Sequence, residues 1–221
     1  MSELKTADVM CRRVVTAALD TSFKELVGIM IAYDAGVIPV VDSRGRPVGV
    51  VSEADLATKL EFHCGAASPP LLGGLRLRSR WHKSSATVAA ELMSTPAITV
   101  TADVTLCSAL RLLRGEQASV LCVVNDAGTL VGMLSRRDAL RLFLRGDDAI
   151  RDDLERQLCP ASATVCRVAV LVCDGAVTLD GALSLRSATE RAEWIARGVP
   201  GVISVRNNLS FDVDDLMITG L

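Results

Sequence analysis

Two short polar pairs carry most of the recognisable chemistry of this chain: Ser52 with Asp55, and Ser135 with Asp138. Each follows a glycine, Gly49 or Gly132, in the pattern G-x-x-S-x-x-D. At a helix start this spacing makes a capping box, in which hydroxyl and carboxylate satisfy backbone N–H groups reciprocally. The same groups also make a recognition set. A carboxylate has two oxygens for two donors, and a helix start offers free N–H groups to an anion. Arg136 and Arg137 place positive charge beside the second pair, whereas Glu53 and Glu61 place negative charge near the first. An anionic group is therefore expected at the second pair in preference to the first.

Catalytic chemistry is not expected. Neither His63 nor His82 has a carboxylate at an orienting spacing, and no phosphate-cradling glycine motif occurs. Cys64 beside His63 is the one sequence-adjacent thiol–imidazole pair, and adjacent residues rarely form a reactive dyad. The seven cysteines are scattered, contain no C-x-x-C, and read as reduced, buried thiols of a cytoplasmic protein. Two histidines leave too few ligands for zinc, and no cofactor is required.

The composition is that of a globular chain: 221 residues, 50% apolar and 23% charged. Four Phe, two Trp and one Tyr force a core of Val, Leu, Ala and Ile. A net charge of -2 exerts no global pull on nucleic acid or membrane. No apolar run reaches the roughly 18 residues of a spanning helix. Met1–Val9 carries Glu3, Lys5 and Asp8, which is unlike a secretory leader.

An internal repeat organises the positioning elements. Shifted by 83 positions, residues 9–56 lie on 92–139 without a gap, with twelve identities in 48 positions. Among them are Met10/Met93, Gly45/Gly128, Gly49/Gly132, Ser52/Ser135 and Asp55/Asp138. Each copy predicts a strand (Val14–Ala17, Ile98–Thr101), then a helix. Ser22 with Glu25 forms a capping box for the first helix, and Thr105 is the N-cap of the second. Phe23, Leu26, Val27 and Met30 form one apolar stripe; Leu106, Ala109, Leu110 and Leu113 form its counterpart. A hairpin follows (Val37–Val41 with Pro47–Val51; Val120–Val124 with Leu130–Leu134). A last helix starts at Ser52 or Ser135, its apolar face made by Leu56 and Leu60, or by Leu140, Phe143 and Leu144.

"VIPVVDSRGRPVGVVSEADL" at 37–56 and "VLCVVNDAGTLVGMLSRRDA" at 120–139 resemble the CBS domain, two copies of which form a Bateman module. The resemblance implies a mixed α/β fold of two βαββα repeats, residues 1–61 and 86–146, and an adenosyl ligand such as AMP, ADP, ATP or S-adenosylmethionine in the clefts between them. It implies that Asp55 and Asp138 accept ribose hydroxyls, that Ser52 and Ser135 hold phosphate, and that Arg136 and Arg137 neutralise it. Val14, Val15, Ala97 and Ile98, with Ile38 and Leu121, would sandwich the adenine, beside Thr16, Thr99 and Pro39. The family's proline is kept as Pro39 and becomes Cys122 in the second copy. The resemblance also implies a homodimer through the CBS repeats.

Residues 62–85 have no counterpart in the repeat. "GAASPPLLGG" followed by Arg76, Arg78, Arg80 and Lys83 reads as a mobile, basic linker. A strap over a phosphate is the sharper reading, and nucleic acid is not expected as a partner. Residues 147–214 predict α-β-β-α-β: a helix over Asp148–Leu158, strands Val165–Cys173 and Ala176–Leu183 around an Asp174-Gly175 turn, a helix opened by Ser187 and Glu190, and a strand over Val202–Phe211. "DGAVTLDGALSLRSATERAEWIARGVPGVISVRNNL" at 174–209 resembles the BON domain, with residues 215–221 as a tail. That resemblance implies a protein or phospholipid partner, or simple packing. The sequence thus predicts a non-catalytic adenosyl-ligand sensor that signals to a partner. The alternative is a dimeric scaffold or phospholipid-binding protein acting through the BON-like part.

Overall fold

The computed structural model describes residues 4–63, 83–159 and 168–216. The chain divides into two compact units, Met1–Ala139 and Leu140–Leu221.

The first unit holds both repeats. Repeat one consists of β1 (Ala17–Ala18), α2 (Phe23–Tyr33), β2 (Val37–Val41), β3 (Pro47–Ser52) and α3 (Glu53–His63), led in by α1 (Thr6–Val9). Repeat two consists of β4 (Thr99–Thr101), α5 (Leu106–Gly115), β5 (Val120–Val124), β6 (Leu130–Ser135) and α6 (Arg136–Leu140), led in by α4 (Ala89–Leu92). Each sheet has three strands, the first parallel and the third antiparallel to the second. The expected caps form: Ser22 accepts from Glu25 N–H in a full capping box, and Thr105 accepts from Ser108 N–H. Leu26 and Met30, with Leu106, Ala109 and Leu113, are buried as the apolar stripes require.

The first strand of repeat one is shorter than expected, two residues against three in repeat two. The cause is the Pro39/Cys122 difference. Cys122 N–H donates to the Ile98 carbonyl at 2.9 Å and opens the Thr99–Cys122 pairing. Pro39 has no N–H, so pairing starts one position later, at Ala17–Val40. Cys122 is fully buried, and burial pushes its thiol up to about 11. Native alkylation should therefore modify the exposed Cys11, Cys107 and Cys173 while sparing Cys122 until the unit unfolds, as read by mass spectrometry.

The repeats exchange their lead-in segments. Thr6 N–H donates to Val104 O, and Cys11 exchanges backbone hydrogen bonds with Met133, so α1 lies on repeat two. Conversely, Ser94 exchanges them with Val50, so α4 lies on repeat one. Glycine allows this approach: a Cβ at Gly49 would stand 2.6 Å from Met93 Sδ, and one at Gly132 2.7 Å from Met10 Sδ. The identities at 10/93 and 49/132 are the two ends of one contact made twice. The two hairpin turns also meet, with Leu130 N–H donating to Gly45 O at 3.0 Å.

Several expectations need correction. Leu60 is 69% exposed, and Leu140, Phe143 and Leu144 are exposed too, so of the apolar residues assigned to the last helices Leu56 alone is buried. In repeat two α6 stops after five residues and Arg141–Leu144 winds into a 3₁₀ turn, which breaks the helical spacing of that stripe. The insert is also narrower than expected: α3 runs through His63, Lys83–Ser85 is helical, and Ser84 and Ala86 are buried. "GAASPPLLGG", Arg76, Arg78, Arg80 and His82 lie outside the described residues. Cys159 is held in a disulfide, and of the free cysteines described Cys122 alone is buried. The reading of a wholly reduced, buried thiol set therefore fails on both points.

The second unit runs α7 (Asp147–Leu158), β7 (Val168–Cys173), β8 (Ala176–Leu185), α8 (Arg186–Arg197) and β9 (Ser204–Val213), the expected αββαβ order. β8 pairs antiparallel with β7 and parallel with β9. Ile150, Leu154, Val172, Val177, Leu179 and Ala196 build its core. Asp174 and Gly175 both have positive φ, as a two-residue hairpin demands, and the Asp147 carboxylate accepts both of their N–H groups. Gly201, at φ +96, lies against Ile150 and the Leu142 carbonyl, which explains the glycine in Val199-Pro200-Gly201-Val202.

The expected Ser187–Glu190 cap does not form. α8 begins at Arg186, and Ser187 instead donates its N–H and hydroxyl to Asp215, while Arg186 pairs with Asp214 and Glu190. The Ser187 hydroxyl and N–H hold Asp215 below its usual 3.8. A depressed carboxyl contributes stability above its unfolded value and loses it as pH falls through the folded one. Acid titration should release this clasp below the ordinary aspartate range, as followed by the Ser187 amide resonance.

Candidate functional site

Each repeat delivers its Ser–Asp pair in the same way. The second strand of the hairpin ends at the serine and the helix begins at the next residue. Ser52 N–H and Oγ donate to Asp55 Oδ2 at 2.9 and 2.6 Å, and Asp55 N–H returns to Ser52 Oγ at 3.3 Å. Ser135 and Asp138 give 2.9, 2.6 and 3.3 Å for the same three bonds. Both pairs are therefore capping boxes, with Oδ2 of each carboxylate committed to its own serine. All four residues are half-buried, so they remain within reach of a bound molecule.

The lead-ins pass between the repeats beside these helix starts. Residues 11–17 leave the Cys11–Met133 bridge on repeat two and enter β1 of repeat one; residues 94–100 make the reverse crossing. Val14 and Val15, with Ala97 and Ile98, are half-buried on these crossings, and Thr16 and Thr99 are exposed. Ile38, Pro39 and Leu121 are buried, the first and last with no exposed surface. They offer no open face in this conformation.

The charged residues divide. Arg136 donates from Nη2 to the Leu113 carbonyl in the last turn of α5 at 2.8 Å, a cation at a helix C-terminus. Arg137 is exposed. On the first pair a residue beyond the expected set appears: Lys83 Nζ reaches Asp55 Oδ1 at 2.6 Å. The basic character of the insert is its one sequence signal, and its target is a carboxylate, which neither the mobile-linker reading nor the phosphate-strap reading anticipates. Among the described residues no cluster of His, Cys, Asp or Glu could hold a metal, and no helix is long and apolar enough to cross a membrane.

A crossed pair of βαββα repeats with matched Ser–Asp helix starts defines the CBS-pair class. The CBS-domain family pattern matches residues 7–61 and 88–145, and the BON-domain pattern matches 146–212. The chain belongs to the CBS-domain family, as a tandem pair with a C-terminal BON domain. An uncharacterized protein of Methanopyrus kandleri is 24% identical over 142 residues, 64% of each chain. The magnesium transporter MgtE of Thermus thermophilus is 40% identical over 57 residues, 26% of this chain and 13% of the transporter. An uncharacterized protein of Methanocaldococcus jannaschii is 27% identical, over 64% of this chain and 32% of its own. The aligned part is thus less than two thirds of each of these relatives.

Among solved structures, CBSX2 in complex with AMP superposes with a TM-score of 0.55 at 24% identity, covering 64% of this chain and 97% of that one. The CBS domain pair of protein MJ0100, solved with 5′-methylthioadenosine and S-adenosyl-L-methionine, gives 0.51 at 22%, covering 64% and 96%. These likenesses establish the fold.

Proposed function

We propose that this protein is a non-catalytic regulatory module that binds an adenosyl ligand between its CBS repeats and passes the bound state to a partner. The observation that carries this reading is the matched placement of Ser52/Asp55 and Ser135/Asp138 beside the crossing lead-ins. A carboxylate at each helix start would accept a ribose hydroxyl, with half-buried Val14 and Val15, or Ala97 and Ile98, flanking a base. Structures of the same fold hold AMP, or 5′-methylthioadenosine with S-adenosylmethionine, which supports an adenosyl compound. A ligand acts as a signal only through differential affinity for two states, and the exchanged lead-ins are the elements it would bias.

A thermal-shift panel of AMP, ADP, ATP, NAD and S-adenosylmethionine tests this reading. A ligand at 100 times its Kd stabilises by about 2.7 kcal/mol, a shift of several degrees. Asp138→Ala should abolish or strongly reduce that shift. The absence of any shift would reduce both Ser–Asp pairs to helix caps, and would turn attention to lipid or protein partners of the BON domain.

A further inference from the structure

Lys83 closes the first Ser–Asp pair from outside the repeat. Its Nζ donates to Asp55 Oδ1 at 2.6 Å and to Ser94 Oγ at 3.1 Å, and the Lys83 and Asp55 side chains are 15% and 14% exposed. Its position is fixed from both sides. Lys59 of α3 donates from Nζ to the carbonyls of Ser84 at 3.1 Å and Ala86 at 2.9 Å, and both of those residues are buried. Ser94 is tied to Val50 by two backbone hydrogen bonds, 2.8 and 3.0 Å. The ammonium therefore bridges the start of α3 and the lead-in of repeat two, across the path a ligand would take.

Asp55 keeps too few acceptor positions for both hydroxyls of a diol. Oδ2 accepts the Ser52 N–H and hydroxyl, and Oδ1 accepts Lys83. We infer that Lys83 decides whether the first cleft takes a ribosyl ligand: its ammonium occupies the Asp55 carboxylate in place of the sugar hydroxyls and must be displaced before they bind. This inference rests on the nucleotide reading above. A charge-assisted hydrogen bond at a half-buried site corresponds to roughly a tenfold to hundredfold change in binding.

The test is calorimetric titration of the full chain with adenosine and with AMP. It compares wild type with Lys83→Met and Ser94→Ala, each also in an Asp138→Asn background that isolates the first cleft. Adenosine carries no charge, so Lys83 has no phosphate to attract and displacement alone is read. Lys83→Met should bind adenosine roughly tenfold or more tightly than its parent. Ser94→Ala, which keeps the ion pair and removes one anchor, should show a smaller gain in the same direction. Adenosine binding to wild type with no gain in Lys83→Met would overturn the inference and leave the nucleotide reading standing. So would weaker AMP binding with adenosine unchanged, which would make Lys83 a phosphate ligand. No binding of either compound to any of the proteins would overturn both.

Discussion

Alanine at Gly49 or at Gly132 should destabilise the CBS pair by roughly 1–3 kcal/mol, the cost of forcing atoms into a filled space. Neither glycine has a positive φ, so the effect is one of packing and not of backbone conformation. At Gly49 the new methyl meets Met93 Sδ at 2.6 Å and the Ser94 carbonyl at 2.9 Å; at Gly132 it meets Met10 Sδ at 2.7 Å and the Cys11 carbonyl at 3.0 Å. Each methionine can turn aside, but each carbonyl belongs to a backbone exchange with the facing strand, Ser94 with Val50 and Cys11 with Met133. The lead-in must therefore move as a whole. Alanine gains roughly 0.5–1 kcal/mol over glycine in backbone entropy, which offsets part of the loss. Urea unfolding of each single variant checks the expectation. If either alanine proved neutral, the lead-in would not be held where it is placed.

A second large effect is expected in the BON domain. Leu154→Ala should cost about 2–5 kcal/mol, the range for a truncated leucine in a core that does not collapse. Leu154 and Ile150 are fully buried, one helical turn apart on α7, against Val172, Val177, Leu179 and Ala196. Trp194 and Phe211 of this unit are exposed and stand outside that core, so neither ring fills the space. Thermal denaturation followed by circular dichroism would read the loss, and Arg151→Ala on the exposed side of the same helix should stay within about 0.5 kcal/mol of wild type.

Much of this architecture is written in local pattern. The 83-residue offset carries the strands, hairpin turns and caps, because Gly45 and Gly128 need positive φ, and Ser22 and Thr105 need only their own helix. What pattern could not fix is which element packs on which. The lead-in exchange has a trace in Met10/Met93 and Gly49/Gly132, yet identity at equal offset does not tell an internal contact from a crossed one. The strand Val37–Val41 is apolar throughout, so alternation could not show that Ile38 lies in the core with no open face. Lys83 and Asp55 are 28 residues apart, joined by an insert whose path no periodicity describes. Ser187 has cap spacing to Glu190, but the tail supplies Asp215 as a stronger partner. The Cys159 disulfide was hidden for a related reason: an odd, scattered set of cysteines does not name its pairs.

The central claim is that a half-buried carboxylate at a helix start holds the ribose diol of an adenosyl ligand. Its most direct test is calorimetric titration of the wild-type protein with AMP and with 2′-deoxy-AMP. A site built to pair a sugar hydroxyl leaves its carboxylate oxygen unmatched when that hydroxyl is missing. AMP should therefore bind roughly tenfold to a hundredfold more tightly than the deoxy form, a gap that closes in Asp138→Asn. Equal affinity for the two nucleotides in the wild-type protein would contradict the account, because the carboxylates would then be capping helices without touching the sugar.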